Sequence, residues 1–121
     1  MLDWRILRLL TQEEHIMAIF ELRTYSIQVG HMPKVIELYK DEGWPIFQKH
    51  PPKLVSYFVG DVGALHKLVH LWKFDDEADR RAFWSGVFAD PAFAAFAAKV
   101  RPSFVTQENQ LMLAAPWGPQ L

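Results

Sequence analysis

Between Ile19 and Gly30 the chain alternates with a period of two, placing Phe20, Leu22 and Thr24 on one side and Glu21, Arg23 and Tyr25 on the other. A helix cannot segregate residues at that spacing, whereas a strand does so automatically, so the run predicts a strand that stops at Gly30. Proline and glycine then punctuate the rest of the chain. Pro33 suits the first turn of a helix, and Val35, Leu38 and Tyr39 build one apolar stripe. Gly43 is expected to end or bend that helix. A short turn restarts at Pro45 and runs through Gln48, before Pro51 and Pro52 impose extended backbone. Leu54–Val59 and His66–Phe74 read as two strands joined through Gly60-Asp61-Val62-Gly63, which makes a hairpin. Asp75 or Asp76 is expected to cap a second helix, whose acidic first turn (Glu77, Asp79) complements the positive end of the helix dipole. Asp90-Pro91 repeats that signal and predicts a break, then a short helix carrying Phe93, Phe96 and Val100 that ends before Pro102. Ser103–Leu113 is the last strand, and Pro116, Gly118 and Pro119 mark an irregular tail.

The order is β-α-β-β-α-β, the split βαβ arrangement of ferredoxin-like α+β domains: a four-stranded antiparallel sheet with helices on one face. The other face needs a cover. Its alternate positions are expected to include Tyr25 and either Trp72 or Leu71, too apolar a set to leave in water. A second copy related by a two-fold axis is the expected cover, so the chain reads as a homodimer.

Composition narrows the function classes. Half of the 121 residues are hydrophobic, which suits one domain with one core and excludes intrinsic disorder. Thirteen Lys and Arg stand against 14 Asp and Glu, so no field steers the chain onto nucleic acid. There is no cysteine, which removes disulfides, thiol nucleophiles and Cys-type metal sites. No apolar run approaches the roughly 20 residues that cross a bilayer, so no transmembrane segment is expected. Residues 1–16 make a poor secretory signal, because Arg5 and Arg8 interrupt the apolar stretch, and Glu13 and Glu14 argue against a transit peptide. A cytoplasmic location is therefore expected. Leu2, Ile6, Leu9 and Leu10 would share one face of a short amphipathic helix, but the favoured reading of 1–16 is a start-site extension with no part in the core. It precedes a domain over 17–116 and a tail over 117–121.

Phe20-Glu21-Leu22-Arg23-Thr24-Tyr25, the Gly30 turn, Gly43-Trp44-Pro45, and Gly63-Ala64-Leu65 followed by Val69-His70-Leu71-Trp72 occur here in order with Ala78-Asp79-Arg80 and Gln107-Glu108-Asn109. In that order and spacing the chain resembles the NIPSNAP family from about Met17 to Pro116. The resemblance implies a ferredoxin-like protomer of the dimeric α/β barrel type, in which two sheets pair. The family is similar to a wider group containing cofactor-independent monooxygenases, isomerases and haem-binding proteins, and its animal relatives are associated with mitochondria and vesicle traffic. Membership therefore does not name a reaction. Two departures stand out: His66 occupies a position where similar sequences often carry Asn, and residues 1–16 have no counterpart.

Candidate chemistry concentrates on two strands. Glu21, Arg23 and Tyr25 share one face of the first strand, and His70 and Trp72 share one face of another. Facing one cavity, they would supply an acid, a cation, a phenol and an imidazole among aromatic rings, the usual composition of a small-molecule site. Arg23 suits a carboxylate or enolate oxygen, His70 or Glu21 suits proton transfer, and Tyr25 and Trp72 suit stacking. The structural alternative is that Glu21 and Arg23 pair with each other or with the two-fold mate and fix register without chemistry. Trp44 beside Pro45 either lines a cavity mouth or packs at a helix end. Tyr39, Phe83, Trp84, Phe88, Phe93 and Phe96 read mostly as core. His66 and His70 lie about 13 Å apart along a strand, too far to share one ion, so no metal is expected. His15, His31 and His50 read as solvated, as does the Arg80-Arg81 pair. No nucleotide loop or nucleophile elbow is present, so no cofactor is expected.

Two functions fit. One is a homodimeric barrel that binds a small aromatic or carbonyl-bearing metabolite, with or without transforming it. The other, which the animal relatives suggest, is a non-enzymatic module whose aromatic surface and N-terminal segment recruit proteins or membranes.

Overall fold

The computed structural model describes residues 18–121. The expected extension, with its amphipathic face and His15, lies outside the described residues. Strands β1 (Ile19–Ile27), β2 (Leu54–Val59), β3 (Lys67–Phe74) and β4 (Phe104–Leu113) form one sheet in the order β2-β3-β1-β4. Every neighbouring pair is antiparallel. With helices in the two crossovers, this is the ferredoxin-like α+β arrangement read from the sequence. Among the described residues no helix is long and apolar enough to cross a membrane.

The first crossover contains α1 (Met32–Leu38), a widened π turn (Tyr39–Gly43) and α2 (Trp44–Lys49). At Gly43, expected to end or bend the helix, the chain passes from α1 to α2 through that widened turn, which Gly43 closes. Pro45 cannot donate to the carbonyl four residues back, and the Trp44 N–H bonds to the Tyr39 carbonyl, so the wider turn absorbs the loss. Gly43 then permits close packing. A methyl group there would lie 2.7 Å from the Phe96 ring and 3.0 Å from Tyr39.

The second crossover contains α3 (Glu77–Ala89) and α4 (Pro91–Val100). Asp76 caps α3 by accepting from the Asp79 N–H at 2.7 Å, and Asp90 ends α3 and caps α4 by accepting from the Ala92 N–H at 2.9 Å. Arg101–Ser103 adds a 3₁₀ turn before β4.

The core lies between the sheet and these helices. Tyr25, Ile27, Leu68, Trp72 and Phe74 from the sheet meet Val35, Tyr39, Phe47, Phe83, Trp84, Val87, Phe96 and Val100. Tyr25, expected on the free face, lies instead on the helix-covered one, and of the two alternatives beside it Trp72 is covered while Leu71 lies on the free face. The free face carries Leu22, Val69 and Leu71, all half-buried, together with the more exposed Phe58. Alternation separates two faces but does not say which one receives the helices. Here the bulkier set goes inward because only the helices can enclose it.

Candidate functional site

Register brings the sequence candidates together. Glu21 is opposite Trp72, and Arg23 is opposite His70, across the β1–β3 pair, so all four side chains and Tyr25 face the helices. Glu21 is fully buried and one of its carboxylate oxygens is engaged: Oε1 accepts from Arg80 Nε at 2.7 Å and from the Trp84 indole N–H at 3.0 Å. Its Oε2 faces Arg23 Nε at 3.5 Å. Two guanidinium groups and an indole thus hold one carboxylate, which is how a buried charge is tolerated.

The Arg23 guanidinium stacks over Trp84, 4.3 Å from the ring centroid. Arg80, read from sequence as solvated, is therefore part of the site. Its signal was available: Arg80, Phe83, Trp84 and Val87 fall on one helical face, and a charge inside an apolar stripe needs a buried partner. Arg81, by contrast, points outward and pairs with Glu77 at 3.0 Å.

His70 sits in a cage of rings, with centroids 4.9 Å from Tyr25, 5.2 Å from Tyr39 and 4.7 Å from Tyr57. Neither imidazole nitrogen has a hydrogen-bond partner among the described residues. Burial first, and the nearby Arg23 cation second, push its pKa down to about 3. His70 is therefore neutral at pH 7, offering one donor and one acceptor. Burial raises the pKa values of Tyr25 and Tyr39, so both phenols stay protonated at neutral pH.

A cavity of about 250 Å³ opens beside these groups. Arg23, Tyr25 and His70 form its sheet wall, Tyr39 and Phe47 come from the first crossover, Trp84 and Phe88 from α3, and Phe93, Phe96, Ala97 and Val100 from α4. Arg101, Phe104 and Gln107 complete it, and the exposed Phe88, Arg101 and Gln107 mark the mouth. Glu21 and Trp72 stand behind this wall rather than in it. Trp44 does not line it either; it is partly exposed and packs edge-on against Tyr57, 6.0 Å between centroids.

The cavity thus lies within the chain, between sheet and helices, and not on a sheet face left for a second copy to cover. Tyr57, Arg101 and Gln107 carry no sequence signal for a site, because their places depend on long-range packing.

The other histidines are more engaged than expected: His31 Nδ1 is 3.0 Å from Ser103 Oγ, and His50 Nε2 is 3.2 Å from Asp90. His66 is exposed at the start of β3 while His70 is buried. Among the described residues no group of three or more His, Asp or Glu is arranged to hold a metal ion.

Comparison with known proteins matches the NIPSNAP family over residues 20–119. The chain belongs to the NIPSNAP family. It is similar to a NIPSNAP family protein of unknown function from Agrobacterium tumefaciens, with 32% identity, TM-score 0.82, and coverage of 88% of this chain and 96% of that one. An uncharacterised NIPSNAP-like domain protein from Burkholderia xenovorans is 27% identical, with TM-score 0.82 and coverage of 88% and 93%. SnoaB, a cofactor-independent oxygenase from Streptomyces nogalater, is 15% identical with TM-score 0.58, covering 80% of this chain and 92% of its own. That is a likeness of fold alone. Comparison with curated proteins finds no match. Within this NIPSNAP domain, the segment Glu21 to Tyr25 and the segment His70 to Trp72 supply the inner wall of the cavity and its support.

Proposed function

We propose that this NIPSNAP protein is a homodimer in which each protomer binds a small aromatic or carbonyl-bearing metabolite in the cavity between sheet and helices. The observation that supports this reading is the pair of His70 nitrogens without partners among the described residues, buried beside the Arg23 guanidinium in a mostly aromatic pocket. Leaving both ring nitrogens without partners is costly, and a ligand that hydrogen-bonds to them removes the cost. The volume falls just below the roughly 300–1,000 Å³ of drug-sized sites, which fits a ligand of one or two fused rings.

In this reading Arg23 donates to a ligand carbonyl or hydroxyl oxygen and His70 exchanges a hydrogen bond with an adjacent polar group. Tyr25 donates its phenolic proton. Proton transfer to His70 becomes favourable only as negative charge develops on the ligand oxygen, because that charge offsets the repulsion between Arg23 and an imidazolium. Glu21, held through one oxygen by Arg80 and Trp84 and facing Arg23 with the other, orients Arg23 and leaves the proton chemistry to His70. Homodimer formation is supported by Leu22, Val69 and Leu71 on the free face, which a second sheet would cover.

The test is titration of the protein with 6-hydroxy-2-naphthamide, followed by tryptophan fluorescence, since Trp84 is in the wall. Saturable binding is expected, lost in Ala97→Leu, which fills the cavity, and weakened about tenfold in Arg23→Gln, which removes a charge-assisted hydrogen bond. Absence of saturable binding, or equal binding by all three proteins, overturns the reading. Exposed Phe58 and Trp117 favour a second reading, an interaction module, which would leave the cavity variants silent and lose partner binding when those two residues are changed.

A further inference from the structure

The charges around the cavity do not balance. Behind its inner wall they cancel in pairs: Glu21 lies 3.5 Å from Arg23 and 2.7 Å from Arg80, and Arg80 lies 3.0 Å from Glu77. Arg101 has no such counterpart. It lines the same cavity just beyond the C-terminus of α4, and it makes no ion pair among the described residues. Its guanidinium carbon lies 6.0 Å from the Phe93 centroid, so the side chain folds back along its own helix toward the mouth. No carboxylate is present among the lining residues.

Resting on the reading of this cavity as a ligand site, we infer that the ligand is an aromatic carboxylate bound in one orientation. Its uncharged oxygen points inward to Arg23 and His70, and its carboxylate is held at the mouth by Arg101. The reverse orientation is disfavoured twice. A carboxylate at the inner end would be stripped of water and set near Glu21, whose own charge already occupies Arg23 and Arg80. At the mouth it keeps part of its hydration and meets a guanidinium that forms no ion pair among the described residues, which suits the fork geometry of an Arg–carboxylate pair. Arg101 is thus a specificity-determining residue, selecting anionic aromatics over neutral ones of the same shape.

The experiment compares 6-hydroxy-2-naphthoate, whose hydroxyl and carboxylate lie at opposite ends of the ring system, with its neutral amide, 6-hydroxy-2-naphthamide, on the full chain and on Arg101→Gln and Arg101→Lys. The unaltered protein is expected to bind the carboxylate more tightly than the amide, with an affinity for the carboxylate that falls as salt is added. Arg101→Gln should weaken carboxylate binding about tenfold while changing amide binding by less than about twofold, and Arg101→Lys should restore most of the loss. If the amide binds as well as the carboxylate, or if Arg101→Gln weakens both equally, the assignment of Arg101 is overturned while the cavity stands as a ligand site. If neither compound binds the unaltered protein, the cavity reading itself fails and this inference falls with it.

Discussion

The two faces of the sheet are made from alternate residues of the same four strands, yet they behave as different materials. The covered face holds Glu21 and His70 at 0% and 2% exposure, with Arg23 beside them, among packed aromatic rings. The free face carries half-buried Leu22, Val69 and Leu71 beside Lys67 and Lys73 at positions that point away from the helices. Apolar residues thus lie on both sides, and the costly polar groups lie only on the enclosed one. A chain built for stability alone would place them the other way round, because a buried charge costs more than an exposed leucine. The contrast is what the proposed ligand site on the covered face and the proposed self-association through the free face would require.

The largest way to break this contrast is Glu21→Ala, which leaves Arg80, Arg23 and the Trp84 indole N–H facing a hole. Urea denaturation should show a loss of about 3–5 kcal/mol, the usual consequence of removing one partner of a buried ionic group. A loss below about 1 kcal/mol would mean that water reaches this cluster and that the inner wall is not dry.

Next in size is the pH dependence set by His70, whose pKa is pushed down to about 3 from an ordinary 6.5. A histidine buried in its neutral form binds fewer protons folded than unfolded, so its contribution is complete above the ordinary value and is lost as pH falls toward the folded value. Stability should decline on the order of 3 kcal/mol from about pH 6.5 to about pH 4, and His70→Phe should flatten that interval in denaturation midpoints measured across pH. An unchanged slope in the variant would assign the decline to other groups.

The smallest effect on the fold itself is expected on the free face. Leu71→Asp should change the unfolding free energy of dilute protomer by no more than about 1 kcal/mol, yet weaken self-association by about tenfold or more in sedimentation equilibrium. Equal loss of stability from Leu71→Asp and Glu21→Ala would erase the distinction between the two faces.

Much of the fold was legible because its signals are local. Period-two runs, Pro33, the Asp76 and Asp90 caps and the Pro51-Pro52 stop each act within a few residues, so element order and even the interruption at Asp90 could be read directly. The widened turn at Tyr39–Gly43 was less legible, since it balances a proline's missing donor against packing of Gly43 on a distant Phe96. The candidate site was legible in part. Glu21, Arg23, Tyr25, His70 and Trp72 could be grouped from strand alternation, and the structure does bring them together. Their place inside the protomer could not be read, because alternation is symmetric between the faces of a sheet and only helix docking breaks that symmetry.

By itself the sequence determined the β-α-β-β-α-β order, the pairing of polar and aromatic residues along two strands, and the family. Tertiary structure alone decided that Arg80 reaches across 59 positions to Glu21, that Trp84 stacks under Arg23, and that Arg101 ends at the mouth of the same cavity. The physical reason is range. Backbone propensity and capping act over a turn or a strand, while a buried charge finds its partners only after the chain has closed around it.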